Sequence, residues 1–152
     1  MIKTRAILLA AAILSVSGAA LALDAPAAIK DRQDFYKDMG KNFKGLMDAL
    51  KTDNPSPADL KQFSAVIGGK AGKILALFPA GTGPEAGVKT GAKAEIWQKW
   101  DEFQKDAGAF DGAAQALNAA AQSGDVATVK KAAQAVGEAC KTCHETFRQK
   151  EH

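Results

Sequence analysis

The residues of this chain best suited to chemistry lie together near its end, in the stretch GEACKTCHETFRQK over 137–150. Cys140 and Cys143 are the only two cysteines, and His144, one of two histidines, directly follows the second thiol. Thiols and imidazoles at such short spacing form disulfides, act as redox dithiols, bind metals or anchor cofactors. The rest of the sequence has to discriminate between these four kinds of site.

Residues 1–22 are typical of a cleaved secretory signal peptide. A short basic start precedes an apolar run over 6–16, and the small residues that follow end in an A-x-A pattern at Ala22. The run is shorter than a membrane span requires, so a cleaved signal is favoured over an N-terminal membrane anchor. We therefore expect export to the periplasm, cleavage after Ala22 and a mature chain of residues 23–152.

The mature chain is almost neutral. Of the 20 basic and 17 acidic residues, the basic Lys3 and Arg5 lie in the signal, which leaves one net positive charge. No block of like charge stands out, so neither nucleic acid nor a membrane surface is indicated as a partner. A chain of this length forms a core without a disulfide, and a bridge across two residues would remove little entropy from the unfolded chain. A purely structural disulfide is therefore disfavoured.

Four amphipathic helical patterns follow one another, and no alternating strand pattern appears. Asp24 begins the first helix, Ser56 the second and Asp125 the fourth, each as a capping residue. The second pattern runs to Phe78, and its stretch GGKAG predicts a kink or a close packing contact. A loop rich in Gly and Pro, 79–93, leads to the third helix. The spacing predicts an all-α, antiparallel four-helix bundle.

Cys140, Cys143 and His144 project from one face late in the fourth helix, because spacings of three and four align side chains. A thioredoxin-like dithiol instead opens a helix beside a strand, where the positive helix end lowers the thiol pKa. Zinc would need a fourth ligand, which only the terminal His152 offers. The C-x-x-C-H spacing is that of covalent haem attachment, with the thiols on the vinyl groups and the imidazole on iron. We predict one haem c.

The mature chain resembles cytochrome c′, the four-helix class of c-type cytochromes that holds its haem near the C-terminus. The resemblance covers essentially the whole mature chain and rests on the segments AIKDRQDFYKDMGKNF, AEIWQKW and GEACKTCHETFR. It implies that Cys140 and Cys143 bind haem and that His144 is the proximal iron ligand. It also implies that Arg148 lies beside the proximal face and that Arg32 approaches a haem propionate.

Tyr36 bears on the sixth iron ligand that the resemblance implies. Low-spin relatives carry a methionine ligand at the corresponding position, whereas high-spin relatives carry a noncoordinating residue. Met39 lies about 4.5 Å further along the helix. We therefore expect a five-coordinate, mainly high-spin iron with Tyr36 over its distal face. Ligation by Met39, in a six-coordinate low-spin electron carrier, and ligation by tyrosinate remain open alternatives.

A haem c in such a bundle can transfer single electrons, bind small gases or turn over peroxide. An empty sixth site favours NO or CO, with Tyr36 and Phe35 making access selective. Peroxidase-like catalysis is disfavoured because His144 is used and His152 is terminal, which leaves no distal histidine for proton transfer. We predict a protein that is not an enzyme, whose partners are periplasmic redox proteins.

Two further expectations come from the resemblance. Family members pair through their first two helices, which implies a homodimer face near Leu46, Leu50 and Phe63. Trp97 matches the family's third-helix segment, which implies a place beside the haem. From helical periodicity alone, these four residues are predicted to be ordinary core residues: Leu46, Leu50, Phe63 and Trp97.

Overall fold

The computed structural model describes residues 24–149 and folds them into helices joined by short connections. The helices, in chain order, are α1 (Ala25–Ala49), α2 (Pro57–Ala71), the single turn α3 (Glu95–Gln98), α4 (Trp100–Ser123) and α5 (Val126–Phe147). Within the described residues no β-strand forms, and no helix is long and apolar enough to cross a membrane. The predicted all-α, antiparallel four-helix bundle is confirmed, with α1, α2, α4 and α5 as its long helices.

The three predicted helix starts are confirmed by their capping bonds. The Asp24 carboxylate accepts a backbone N–H of the first turn at 3.1 Å, the Ser56 hydroxyl accepts one at 3.3 Å, and the Asp125 carboxylate accepts one at 3.0 Å. Each bond satisfies a donor that the helix itself leaves unpaired. The polar residues of the sequence therefore fix where these helices begin.

Two helix boundaries differ from the sequence pattern. The second helix ends at Ala71 instead of continuing to Phe78, and a 3₁₀ turn follows it at Leu75–Leu77. The predicted close contact is present, since buried Gly68 accepts a hydrogen bond from the Gln115 side chain of α4 at 3.0 Å. The third helix is interrupted at Lys99, whose φ of −122° and ψ of 49° are not helical. Glycine's weak helix propensity favours the early end of α2.

Packing closes three sides of the bundle and leaves the fourth open. Helix α1 packs on α2, α2 on α4, and α4 on α5. The core between them contains fully buried side chains from every long helix, among them Leu46, Ile67, Leu117 and Val129. Helices α1 and α5 instead face each other across a cavity, beyond which the Phe43 ring approaches Gly137. The first and last helices are therefore held apart along part of their length.

The residues named for a homodimer face lie mostly inside the chain. Leu46 and Leu50 are only 0 % and 5 % exposed and belong to the core. Phe63 is half-buried against Gly45, where an added Cβ would lie 2.8 Å from the phenyl ring. A dimer face on α1 and α2 would therefore use their exposed neighbours.

Arg32 of α1 anchors the connection between α2 and α3. Its guanidinium is 3 % exposed and donates to the carbonyl of Leu77 at 3.3 Å and to the hydroxyl of Thr82 at 3.1 Å. It also donates to the carbonyl of Thr82 at 2.8 Å and to the hydroxyl of Thr90 at 3.0 Å. Four hydrogen bonds from one side chain thus determine the path of a segment that has no long helix of its own.

The same connection is tied to the end of α5. The Lys93 N–H donates to the carbonyl of Phe147 at 3.0 Å, and the Gln149 N–H donates to the carbonyl of Gly91 at 2.8 Å. The Lys93 ammonium adds a bond to the Thr146 carbonyl at 2.8 Å. The bonds to Phe147 and Thr146 use carbonyls that the end of α5 leaves unpaired. The connection therefore joins α1 and α5 beside the cavity.

Replacing Arg32 with methionine should destabilise the protein by roughly 3 kcal/mol, because several buried acceptors would lose their donors. Chemical unfolding of the purified protein would measure the loss. Gln33→Ala is the matched control, since it removes one exposed bond to the Lys89 carbonyl, and it should change stability by less than about 0.5 kcal/mol. Equal effects of the two substitutions would show that Arg32 does not anchor the connection.

Candidate functional site

The space between α1 and α5 is a cavity of about 1150 Å³. It exceeds the roughly 300–1,000 Å³ of ordinary small-molecule sites. Its wall is mainly apolar and includes Met39, Phe43, Ile67, Ile74, Phe78, Ile96, Phe103, Phe110, Val136 and Phe147. Such a wall binds a large apolar molecule by removing it from water.

The two thiols and the histidine of the C-x-x-C-H stretch all line this cavity from α5. Cys140 and Cys143 are free and half-buried. Burial raises the pKa of Cys140, and burial together with the charge of Asp106 raises the pKa of Cys143 to about 12. Both thiols are therefore protonated near neutral pH, unlike the reactive thiolate of a redox dithiol.

The cluster is not a closed metal site. Among residues 24–149 no three His, Cys, Asp or Glu side chains lie close enough together to hold a metal ion. His152, the fourth zinc ligand considered above, lies outside the described residues. Partial burial lowers the pKa of His144, and the charge of Arg148 lowers it further. The imidazole is therefore held in the neutral form, which binds metals.

Residues of α1 line the cavity opposite α5. Met39 is 6 % exposed and belongs to the apolar core, whereas Tyr36 is half-buried. The Tyr36 ring packs edge-on against Phe35 and Phe78, with centroids 5.6 and 6.3 Å away. The cavity thus brings together seven of the candidate residues from the sequence, namely Cys140, Cys143, His144, Arg148, Arg32, Tyr36 and Met39.

The phenol of Tyr36 is neutral in this environment. Burial raises its pKa above the ordinary value, the Cys143 thiol raises it further, and the charge of Arg32 lowers it only in part. Iron ligation by tyrosine uses the phenolate oxygen, which deprotonates at a cost that grows with this pKa. The surroundings of Tyr36 therefore give no support to the tyrosinate alternative.

Two aromatic residues expected at the cavity lie elsewhere. Trp97 is absent from its wall, and its indole N–H donates to the carbonyls of Phe78 and Pro79, both at 3.2 Å. Phe35 is also absent from the wall, and the Lys70 ammonium lies 4.5 Å from its ring centroid. Both rings lie behind the residues that line the cavity. Tyr36 rather than Phe35 therefore borders the cavity.

The sequence pattern did not predict three polar residues of the site. Thr82 and Thr90 accept the bonds that hold the α1 guanidinium, and Asp106 is the only acidic residue among those that line the cavity within the described part of the chain. Asp106 lies three residues after Phe103 and four before Phe110, so helical spacing could have placed it on the same face. The threonines lie in a connection without periodicity, which gives no such signal.

Arg32 is a buried cation that no carboxylate of the described residues contacts directly, although Glu85 acts on it at longer range. It forms no salt bridge within 4 Å among residues 24–149, and its four hydrogen bonds go to neutral oxygens. Burial lowers its pKa, which reflects the cost of holding the charge away from water. Because Arg32 borders the cavity, a carboxylate there would meet an opposite charge. The cavity fits a large apolar molecule with acidic groups, which describes a haem.

Comparison with known proteins agrees with this fit. The family described as Cytochrome C' matches residues 27–148 of the chain. The cytochrome c′ of Pararhodospirillum photometricum is 40 % identical over 124 residues, which cover 81 % of this chain and 97 % of that protein.

Solved structures show the same relationship. A cytochrome c′ described as having an unusual ligand-controlled dimer dissociation superimposes with a TM-score of 0.79 at 35 % identity, covering 84 % of this chain and 98 % of that one. The nitric oxide complex of a variant of cytochrome c prime from Alcaligenes xylosoxidans gives a TM-score of 0.75 at 29 % identity, with coverages of 84 % and 97 %. The similarity therefore spans nearly the full length of both solved chains.

Members of this family carry one covalently attached haem c. The apolar cavity, the two thiols beside an imidazole and the buried cation of this chain are chemically suited to that group. The family match over residues 27–148 and the shared helical bundle show that the chain belongs to the cytochrome c′ family and is a haem c protein.

Proposed function

We propose that this protein is a periplasmic c-type cytochrome that exchanges single electrons and binds NO or CO at a five-coordinate haem iron. The observation that carries the proposal is that the thiols and imidazole of α5 and the neutral phenol of Tyr36 on α1 line the same cavity. When bound, haem c supplies the redox and gas-binding chemistry. The residues of the chain determine how it is held and what reaches it.

The α5 side of the cavity supplies the attachment. Cys140 and Cys143 would form the two thioether links, and His144 would be the axial iron ligand on that side. The low pKa of the imidazole favours coordination, because the proton that competes with iron is bound weakly. Arg148, one turn beyond His144, contributes to that low pKa and would lie near the same face.

On the α1 side, the residues that line the cavity are poorly suited to bind the haem iron. Tyr36 offers a neutral phenol, which is a poor iron ligand. Met39 is packed in the apolar core, the usual place of a methionine on the inner stripe of a helix. This arrangement favours a five-coordinate iron, with Tyr36 limiting the space for an incoming gas. The solved nitric oxide complex of a relative is consistent with gas binding in this fold.

Arg32 would act on the haem mainly through its charge. Four of its five N–H donors are used by the connection between α2 and α3, which leaves one for a propionate. The one remaining donor of Arg32 cannot form the two parallel hydrogen bonds with which an arginine binds a propionate in a bidentate manner. A buried cation beside the haem still favours the less positive ferrous state and would raise the midpoint potential.

An enzymatic role has little support at this site. The imidazole of His144 is the only one among the described residues that line the cavity, and it lies on α5 with the thiols. Efficient peroxide turnover needs a positioned acid–base group on the opposite side, which Tyr36 with its raised pKa does not provide. Turnover far above that of free haem would contradict this proposal.

Export and self-association are part of the same proposal. The signal at residues 1–22 lies outside the described residues, and the periplasmic setting rests on the sequence pattern and on the nature of the family. A homodimer is supported by the dimer described for one solved relative. Mass spectrometry of the exported protein should give an N-terminus at Leu23, and sedimentation would show the oligomeric state.

Replacing both cysteines, Cys140→Ser with Cys143→Ser, should abolish covalent haem attachment. No thioether could then form, so acidified acetone should extract the haem and the intact mass should fall by one haem. His144→Gln is the matched control, because it should keep the covalent haem and alter only its absorption spectrum. Haem that stays with the double variant after extraction would show that the group is held elsewhere.

The absorption spectrum of the ferrous protein, before and after addition of CO or NO, tests the vacant iron site. We expect a broad high-spin spectrum that shifts on gas binding. Met39→Leu should leave the spectrum unchanged, because Met39 is core. Tyr36→Ala should accelerate CO binding by roughly tenfold, since removing about 1.4 kcal/mol from a steric barrier has that effect.

A sharp low-spin spectrum that does not respond to CO would contradict the five-coordinate proposal. If Met39→Leu then converted the protein to a high-spin form, Met39 would be assigned as the sixth ligand. The protein would in that case be a six-coordinate electron carrier without a gas site.

A further inference from the structure

The cavity opens to solvent at a rim built from three separate parts of the chain. Helix α1, the connection before α3 and the end of α5 each contribute to it. We define the rim by its exposed residues Gln33, Lys37, Lys89, Gly91, Arg148 and Gln149. All of its charged side chains are cationic, a feature that the nearly neutral composition of the chain conceals.

One side-chain bond and one backbone bond hold these three parts of the rim in register. The Gln33 side chain donates to the Lys89 carbonyl at 2.9 Å, which fixes the connection against α1. The Gln149 N–H donates to the Gly91 carbonyl at 2.8 Å, which fixes it against α5. Lys37 lies one turn after Gln33 on the same face of α1. The cationic side chains are therefore arranged around one opening by the fold.

The rim lysines lack close salt bridges, as do other lysines of the described chain such as Lys41 of α1. Elsewhere on α1, Lys30 pairs with Asp34 and Lys44 pairs with Asp48. Neither Lys37 nor Lys89 forms a salt bridge within 4 Å among residues 24–149. The acidic residue that lines the cavity, Asp106, is half-buried on α4 and does not belong to the rim. Every charged side chain of the rim is therefore cationic, with Asp34 of α1 within electrostatic reach of Lys37.

We propose that the rim is a docking surface for a redox protein that presents a carboxylate-rich face. The inference rests on the proposed electron transfer, and it specifies where the partner binds and what charge it carries. Complementary charges accelerate encounter and fix orientation more than they increase affinity. A partner seated on the rim would lie over the opening of the cavity that fits the haem.

The layout of the rim suits a protein surface better than a small ion. Its cationic side chains are separated by the neutral, exposed Gln33, Gly91 and Gln149, so they do not converge on a single point. Protein interfaces typically surround a central contact with such a polar, solvent-accessible border. Selective binding of small anions alone is the competing outcome of the experiments.

The first experiment maps anion binding on the holoprotein with hexacyanochromate(III), a redox-inert paramagnetic anion. We expect NMR signals near Lys37 and Lys89 to broaden selectively, and the double variant Lys37→Glu with Lys89→Glu to lose the effect. Lys130→Glu with Lys131→Glu is the matched control, since it changes the charge equally at exposed positions of α5. Those positions lie about 20 Å along the helix from His144. Absence of broadening at the rim, or its equal loss in the control, would overturn the proposal.

The second experiment uses a ten-residue glutamate peptide as the carboxylate-rich probe. The peptide should displace hexacyanochromate from the rim, whereas a ten-residue lysine peptide should not. At an ionic strength of about 0.1 M, oxidation of the ferrous protein by ferricyanide should slow by roughly tenfold in the rim variant. The control variant should change less than twofold, because screening confines such effects to about 10 Å. Displacement by neither peptide would identify small anions as the occupants and overturn the docking surface.

The same measurements separate this inference from the proposed function. If ferricyanide and the cationic hexaammineruthenium both fail to exchange electrons while the glutamate peptide still binds, the electron-transfer function is wrong and the acidic binding surface stands. If both reagents react but neither depends on Lys37 and Lys89, the electron-transfer function stands and the docking surface is wrong.

Discussion

The guanidinium of Arg32 is the interaction on which the arrangement of the site depends. It is a charge held inside the protein, and its bonds to the connection between α2 and α3 place that segment against α1. The segment in turn pairs with the end of α5 through Gly91 and Lys93. One buried cation therefore links the two helices that the cavity holds apart along part of their length. It also leaves positive charge at the wall of the space between them.

The residues on the two sides of the cavity differ in their suitability for binding a metal. On α5, burial keeps Cys140 and Cys143 protonated, and burial with a nearby cation keeps His144 neutral. On α1, burial keeps the Tyr36 phenol neutral and Met39 packed in the core. The neutral His144 imidazole on α5 is thus suited to metal coordination, whereas the neutral Tyr36 phenol on α1 is not. A haem c protein with these walls is suited to a five-coordinate iron.

The proposed docking surface shows why net charge is a poor guide to function. The mature chain is almost neutral, yet the exposed charges at the cavity opening share one sign. The difference arises because no acidic residue belongs to the rim, whereas Lys30 and Lys44 elsewhere on α1 are paired with aspartates. Local pairing, rather than composition, sets the potential that an approaching partner meets.

The sequence by itself determined the helix starts, the all-α class and the single face carrying Cys140, Cys143 and His144, because capping and helical spacing are local properties. Only the tertiary structure decided which side chains surround the cavity. It removed Trp97 and Phe35 from the wall, ended α2 before Phe78, and brought Thr82 and Thr90 to the α1 guanidinium. These contacts join residues that are far apart in the chain, within a connection that has no periodicity. No local pattern encodes such contacts, since they form only when the helices pack.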